Sequence, residues 1–155
     1  MTCRVIDGPP RSRAASVQAG ATPAPARQRG GRTLPEDTTT QVQRYIAAWN
    51  ETEPQARRRA VAALFTEDAR YVDPLVDVRG HEGIEAAIAA VHQQFPGWVF
   101  RLAGPVDAHH DQVRFTWSLG PQGGEPPVVG SDVAVADGDG RFDRVCGFLD
   151  RVPQQ

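Results

Sequence analysis

Val113-Arg114-Phe115-Thr116-Trp117-Ser118-Leu119, Val128-Val129-Gly130-Ser131-Asp132-Val133-Ala134-Val135-Ala136 and Phe142-Asp143-Arg144-Val145-Cys146-Gly147-Phe148-Leu149 are the three stretches on which the fold turns. In the first, Val113, Phe115, Trp117 and Leu119 alternate with more polar neighbours, which is the period of a half-buried strand. The second and third are apolar runs of strand length, rich in β-branched residues. Pro121-Gln122-Gly123-Gly124 separates the first pair, and Asp137-Gly138-Asp139-Gly140, a strong hairpin signal, separates the second pair. Successive strands joined by tight turns are antiparallel neighbours, so the end of the chain reads as a meander. A further strand, carrying Trp98, Phe100 and Leu102, precedes it.

Upstream the period changes. Ile84, Ile88, Val91 and Phe95 form one stripe of a helix that begins after Gly80 and stops at Pro96-Gly97. Ala69 to Val76 reads as a strand interrupted at Pro74, with Tyr71, Asp73 and Leu75 on one side and Arg70 and Val72 on the other. Before it, Val42, Tyr45, Ile46 and Trp49 mark a first helix capped by Asp37 or Thr38. A second helix starts from Thr52 or Glu53 with Pro54 in its first turn; Ala56, Ala60, Ala63 and Leu64 form its stripe. Arg57, Arg58 and Arg59 fall outside that stripe and read as a solvated face. Three helices on a long antiparallel sheet make an α+β domain, and strong curvature of the sheet leaves an apolar pocket between the layers.

This domain is expected over residues 36–152. Residues 1–35, rich in Pro, Gly, Ala, Ser and Arg without apolar periodicity, read as a disordered extension, compatible with a transit peptide, an inert extension or a start codon called too early. They carry six Arg against the single acid Asp7, which leaves the folded part acidic within a net charge of −2. An acidic domain argues against a phosphate-tracking surface, so no nucleic-acid partner is expected. The chain has no lysine, which excludes Schiff-base and P-loop lysine chemistry. Cys3 and Cys146 make no disulfide framework. With no apolar run long enough to span a bilayer, no membrane partner is expected and a cytoplasmic location is the default.

The element order, with Gln43-Arg44-Tyr45-Ile46-Ala47-Ala48-Trp49-Asn50, Ala63-Leu64-Phe65, Val72-Asp73-Pro74 and Val128-Val129 leading to Asp132, resembles the nuclear transport factor two-like superfamily. Within it the likeness is to bacterial ketosteroid isomerases, over roughly residues 38–150. Gly80-His81-Glu82-Gly83-Ile84, Phe95-Pro96-Gly97 and Gly147-Phe148-Leu149-Asp150 look closer to SnoaL-like proteins. The resemblance implies a cone-shaped α+β barrel, a homodimer, and a site formed by Tyr45, Asp73 and Asp132. It implies Asp73 as general base, with Tyr45 and a protonated Asp132 as oxyanion donors. The sequence departs at Ile88, where those isomerases place a supporting tyrosine. The Arg-x-Asp pairing of limonene-epoxide-hydrolase-like members is not visible at Arg101 or Arg114.

Each candidate also has a plainer reading. Asp73 stands beside an aromatic as either the base or a turn cap on nearby N–H groups. Tyr45, in an apolar stripe, needs a partner for its hydroxyl, in the core or at a pocket wall. Asp132, among valines, either lines the pocket or caps a bulge. Its apolar setting raises its pKa, so it is expected to stay protonated near neutral pH. Trp49, Tyr71, His92, Trp98, Phe115 and Trp117 are the expected substrate walls. His109, His110 and Asp111 read as a turn, since neighbouring strand residues point apart and cannot share one metal, and no metal site is expected. The expected function is cofactor-free proton transfer on a flat hydrophobic carbonyl substrate by an isomerase, cyclase or dehydratase. The alternative is a non-catalytic ligand-binding or assembly module. A homodimer is expected through a sheet face carrying Val113, Phe115 and Trp117.

Overall fold

The computed structural model describes residues 38–153; the expected extension and the Asp37 cap lie outside them. Helix α1 (Thr38–Asn50) packs against α2 (Pro54–Leu64), and α3 (Gly80–Gln94) lies against α2 and the first strand. Glu53 caps α2, its carboxylate accepting from the N–H groups of Gln55 and Ala56 at 3.0 and 2.7 Å, with Pro54 at the first position where no donor is lost.

The strands are β1 (Phe65–Val72), β2 (Asp77–Arg79), β3 (Trp98–Leu102), β4 (Asp107–His109), β5 (Gln112–Pro121), β6 (Val128–Ala136) and β7 (Phe142–Arg151). They form one curved seven-stranded sheet in the order β2-β1-β7-β6-β5-β3, with β4 also paired to β5. The meander β5-β6-β7 is antiparallel as its turns require, with Asp132 opposite both Phe115 and Gly147. The sheet is nevertheless mixed, because β1 joins β7 in parallel. Turn chemistry dictates only how consecutive strands meet; the first and last strands are brought together by closure of the core. His109 ends β4, and His110, at φ 55, turns the chain into β5.

Two stretches differ from their sequence reading. Ala69–Val76 is not one interrupted strand: β1 ends at Val72, Asp73 opens a tight turn, and β2 runs back along β1. Leu75, expected beside Tyr71, is 73% exposed at the tip of that turn. Arg57, expected in solvent, is 5% exposed. Its Nε and Nη2 donate to Glu85 Oε1 at 3.0 and 2.7 Å, and its Nη1 donates to the carbonyls of Glu51 and Thr52 at 3.1 and 3.3 Å. It joins α2 to α3 and to the loop after α1. A lysine cannot fill these four contacts from one ammonium, so Arg57→Lys is expected to cost about 1–2 kcal/mol. Urea midpoints check this, and an unchanged midpoint would show that the fork is dispensable.

Val113, Phe115 and Trp117 point toward the helices and are buried, as alternation along β5 demands. They cannot form the outer contact expected of them. The opposite sheet face carries Val72, Val133 and Cys146 in register, with exposed Phe148 nearby.

Candidate active site

Between the helices and the sheet is a cavity of about 410 Å³. Helix α1 contributes Tyr45 and Trp49, one turn apart on its buried stripe, and β1 contributes Tyr71 with Asp73 just beyond the strand end. Phe100 of β3 and Trp117 of β5 close the far wall, and Leu75 borders the mouth. The rings pack edge to face or tilted, with centroids 5.3 Å apart for Trp49–Tyr71, Trp49–Phe100 and Phe100–Trp117. Such contacts hold the walls in one arrangement.

The Asp73 carboxylate does two things. Its Oδ1 accepts from the N–H groups of Leu75 and Val76 at 2.7 and 2.9 Å, which is the turn cap of the plainer reading. Among the described residues its Oδ2 accepts only the Tyr71 hydroxyl, at 3.0 Å, which leaves a lone pair for the pocket it borders. Burial, with the nearby Asp132 and Asp73 charges, pushes the Tyr71 phenol far above its ordinary pKa, so Tyr71 stays a donor.

Asp132 lies one layer deeper. It is 1% exposed and does not line the cavity. The Tyr45 hydroxyl donates to its Oδ2 at 2.6 Å and the Trp117 indole N–H donates to its Oδ1 at 2.9 Å. Burial raises its pKa to about 6, with Asp73 and Asp150 adding to the rise, while the bonds from Tyr45 and Trp117 oppose it. The rise has the expected direction. Two donors to the carboxylate oppose the rise and favour its ionised form. Burial likewise drives the Tyr45 pKa well up. The Trp49 indole N–H stands close enough to Tyr45 to favour its charged form, yet it makes no well-aligned hydrogen bond.

Gly147 makes this convergence possible. A Cβ there would lie 3.0 Å from Asp132 Oδ1, 3.1 Å from Asp73 Cβ and 3.4 Å from the Tyr71 hydroxyl. Both acids therefore meet across one bare stretch of β7. Gly130 plays a matching part on β6, since a Cβ there would stand 2.3 Å from the Trp117 ring, which lies over that glycine to reach Asp132 on the same strand.

Of the expected walls, Trp49, Tyr71 and Trp117 border the cavity, whereas His92, Trp98 and Phe115 do not. Phe115 sits in the core against Tyr45, centroids 5.2 Å apart. Trp98 stacks on Phe95 at 4.7 Å, and it is Phe95 that faces the cavity. His92 follows Val91, the α3 residue that borders the cavity, and one helical step of about 100° turns it away. Phe95 and Phe100 are the wall aromatics not singled out from sequence; Phe95 ends the α3 stripe and Phe100 lies mid-strand in the Trp98-Phe100-Leu102 alternation.

Comparison with known proteins agrees with this fold. The model of the SnoaL-like domain matches residues 42–145. A solved structure from Agrobacterium tumefaciens, described as a "putative isomerase of the SnoaL-like family", is 45% identical with a TM-score of 0.70, over 72% of this chain and 96% of that one. A protein from Catenulispora acidiphila described as having a ketosteroid isomerase-like fold, solved with trimethylamine, shares the fold at 22% identity and TM-score 0.57, over 74% and 85% of the two chains. A polyketide cyclase so described, also as putative, from Sinorhizobium meliloti does so at 18% identity and TM-score 0.56, over 70% and 93%. No curated protein matches the sequence. No helix among the described residues is long and apolar enough to cross a membrane. With the helix order, the curved sheet, the pocket and the matched domain in agreement, the chain belongs to the SnoaL-like family.

Proposed function

We propose that this protein catalyses cofactor-free proton transfer next to the carbonyl of a flat hydrophobic substrate, as an isomerase, cyclase or dehydratase. The observation that carries the reading is the meeting of Asp73 with the hydrogen-bonded Tyr45–Asp132 pair around Gly147, at one aromatic-walled cavity. The substrate carbonyl lies toward Tyr45, and Asp73 Oδ2 takes the proton from the adjacent carbon. Negative charge then develops on the carbonyl oxygen, where a fixed donor stabilises it most. Because Asp132 is out of reach of the cavity, its part is to set the Tyr45 hydroxyl. When ionised it holds the Tyr45 proton; when protonated it donates to the Tyr45 oxygen and turns the Tyr45 O–H toward the substrate. A relay through Tyr45 replaces the pair of direct donors that the family resemblance implies.

The test is deuterium uptake at the α-carbon of flat bi- and tricyclic ketones in D2O, followed by NMR. Uptake above the buffer rate is expected for at least one ketone that also quenches the pocket tryptophans. Binding without uptake across the panel would favour the ligand-binding module, a reading supported by the engagement of Asp73 Oδ1 with two backbone donors.

The family resemblance also motivates a homodimer, now through the opposite sheet face with Val72, Val133, Cys146 and Phe148. Light scattering is expected to return twice the chain mass of 16.8 kDa at micromolar concentration, and a monomer would remove the proposal.

A further inference from the structure

The charge of the cavity wall is one-sided. Among the described residues that border it, six carry aromatic rings: Tyr45, Trp49, Tyr71, Phe95, Phe100 and Trp117. Among the described residues Asp73 is the only charged side chain on that wall, and no arginine or histidine of theirs borders it. Behind the wall stands the buried Asp132, bonded to the wall residues Tyr45 and Trp117, so the layer beneath carries a carboxylate too. Ring faces attract cations through their quadrupole, and a carboxylate at the edge of a low-dielectric cavity adds to that attraction. The same surroundings repel an anion, which would meet a carboxylate and no cationic partner.

We propose that the ligand of this pocket carries a tertiary or quaternary ammonium group on its flat hydrophobic frame, with Asp73 as counter-charge, and that carboxylate-bearing ligands are rejected. The inference rests on reading this cavity as the ligand site, and it narrows the substrate class. It is compatible with proton transfer: an ammonium next to the carbonyl brings the cation and the C–H to be broken to the same carboxylate. It also acidifies that C–H.

Three naphthalene probes of similar size test it, bearing trimethylammonium, acetyl or carboxylate at the same ring position. Their dissociation constants are read by calorimetry at pH 7.5 on the full chain. The ammonium probe is expected to bind at least ten-fold more tightly than the carboxylate probe and more tightly than the ketone. Asp73→Asn is expected to weaken the ammonium probe about ten-fold and to leave the ketone within two-fold. Attraction to the net negative chain as a whole would survive Asp73→Asn, so an unchanged ammonium affinity in that variant overturns the proposal. Equal binding of ammonium and carboxylate overturns it as well, as does binding of the ketone alone. Deuterium uptake by the ketone is a separate readout, so proton transfer can fail while the charge preference stands, and the reverse.

Discussion

Asp73→Asn is expected to lower α-deuterium exchange by at least 100-fold while ligand binding and folding persist. General-base catalysis by a placed side chain is worth roughly 10²–10⁴ in rate, and an amide cannot accept the proton. The substitution is clean because the structural duties of Asp73 are those of an acceptor. An asparagine Oδ1 can still take the Leu75 and Val76 N–H groups, and its Nδ2 can donate to the Tyr71 oxygen while the Tyr71 O–H turns into the cavity that Tyr71 borders. The turn between β1 and β2 therefore stays closed, and the urea midpoint should move by well under 1 kcal/mol equivalent. Asp73→Ala, by contrast, strips the turn of its cap and confounds the two roles. Exchange in the Asn variant within three-fold of the natural protein would remove Asp73 as the base.

The second large effect belongs to Asp132. Asp132→Ala leaves the Tyr45 hydroxyl and the Trp117 N–H buried without an acceptor, and each such loss costs about 1–3 kcal/mol. A drop of about 2–6 kcal/mol is expected, large against the total stability of a small domain. Asp132→Asn should be far milder, with its Oδ1 accepting from Trp117 and its Nδ2 donating to the Tyr45 oxygen. That arrangement mimics the protonated acid. The two proteins should then differ in pH dependence.

Burial lifts the Asp132 pKa to about 6 from an ordinary 3.8, so between pH 4 and 6 the folded chain holds this proton more tightly than the unfolded chain does. The favourable contribution is complete below about pH 4 and is lost as pH rises through 6, about 3 kcal/mol in all. Urea unfolding at pH 4.5 and 7.5 should show this fall in the natural protein relative to Asp132→Asn. Parallel pH profiles for the two would mean that Asp132 ionises as freely in the fold as in water. The Asn variant should also bind the ketone more tightly at pH 7.5, because its Tyr45 O–H is turned to the pocket at every pH.

Much of this protein is legible in the sequence because the relevant signals are local. Period-two alternation from Val113 to Leu119 and the Asp137–Gly140 turn require a hairpin meander wherever the chain is placed. The 3.6-residue stripe through Tyr45 and Trp49 requires that both face a core. The resemblance to ketosteroid isomerases, rather than any local period, is what implies Tyr45, Asp73 and Asp132 as one group.

What the tertiary structure alone decided are the relations between distant segments. Parallel pairing of β1 with β7, the partnership of Arg57 with Glu85, and the depth of Asp132 depend on which surfaces meet when the layers close. A helical wheel assigns Arg57 to the polar side of α2, but it cannot know that α3 brings a carboxylate there. Alternation assigns Asp132 to the inner face of β6, but it cannot tell the wall of a cavity from the layer beneath. Gly130 and Gly147 resolve that point: without side chains at those positions, Trp117 can lie over β6 to reach Asp132 and the two acids can converge across β7. A glycine in a strand is visible in sequence as a weakness of the strand. That it is the space into which another residue's side chain fits becomes visible only when the neighbouring strands are in register.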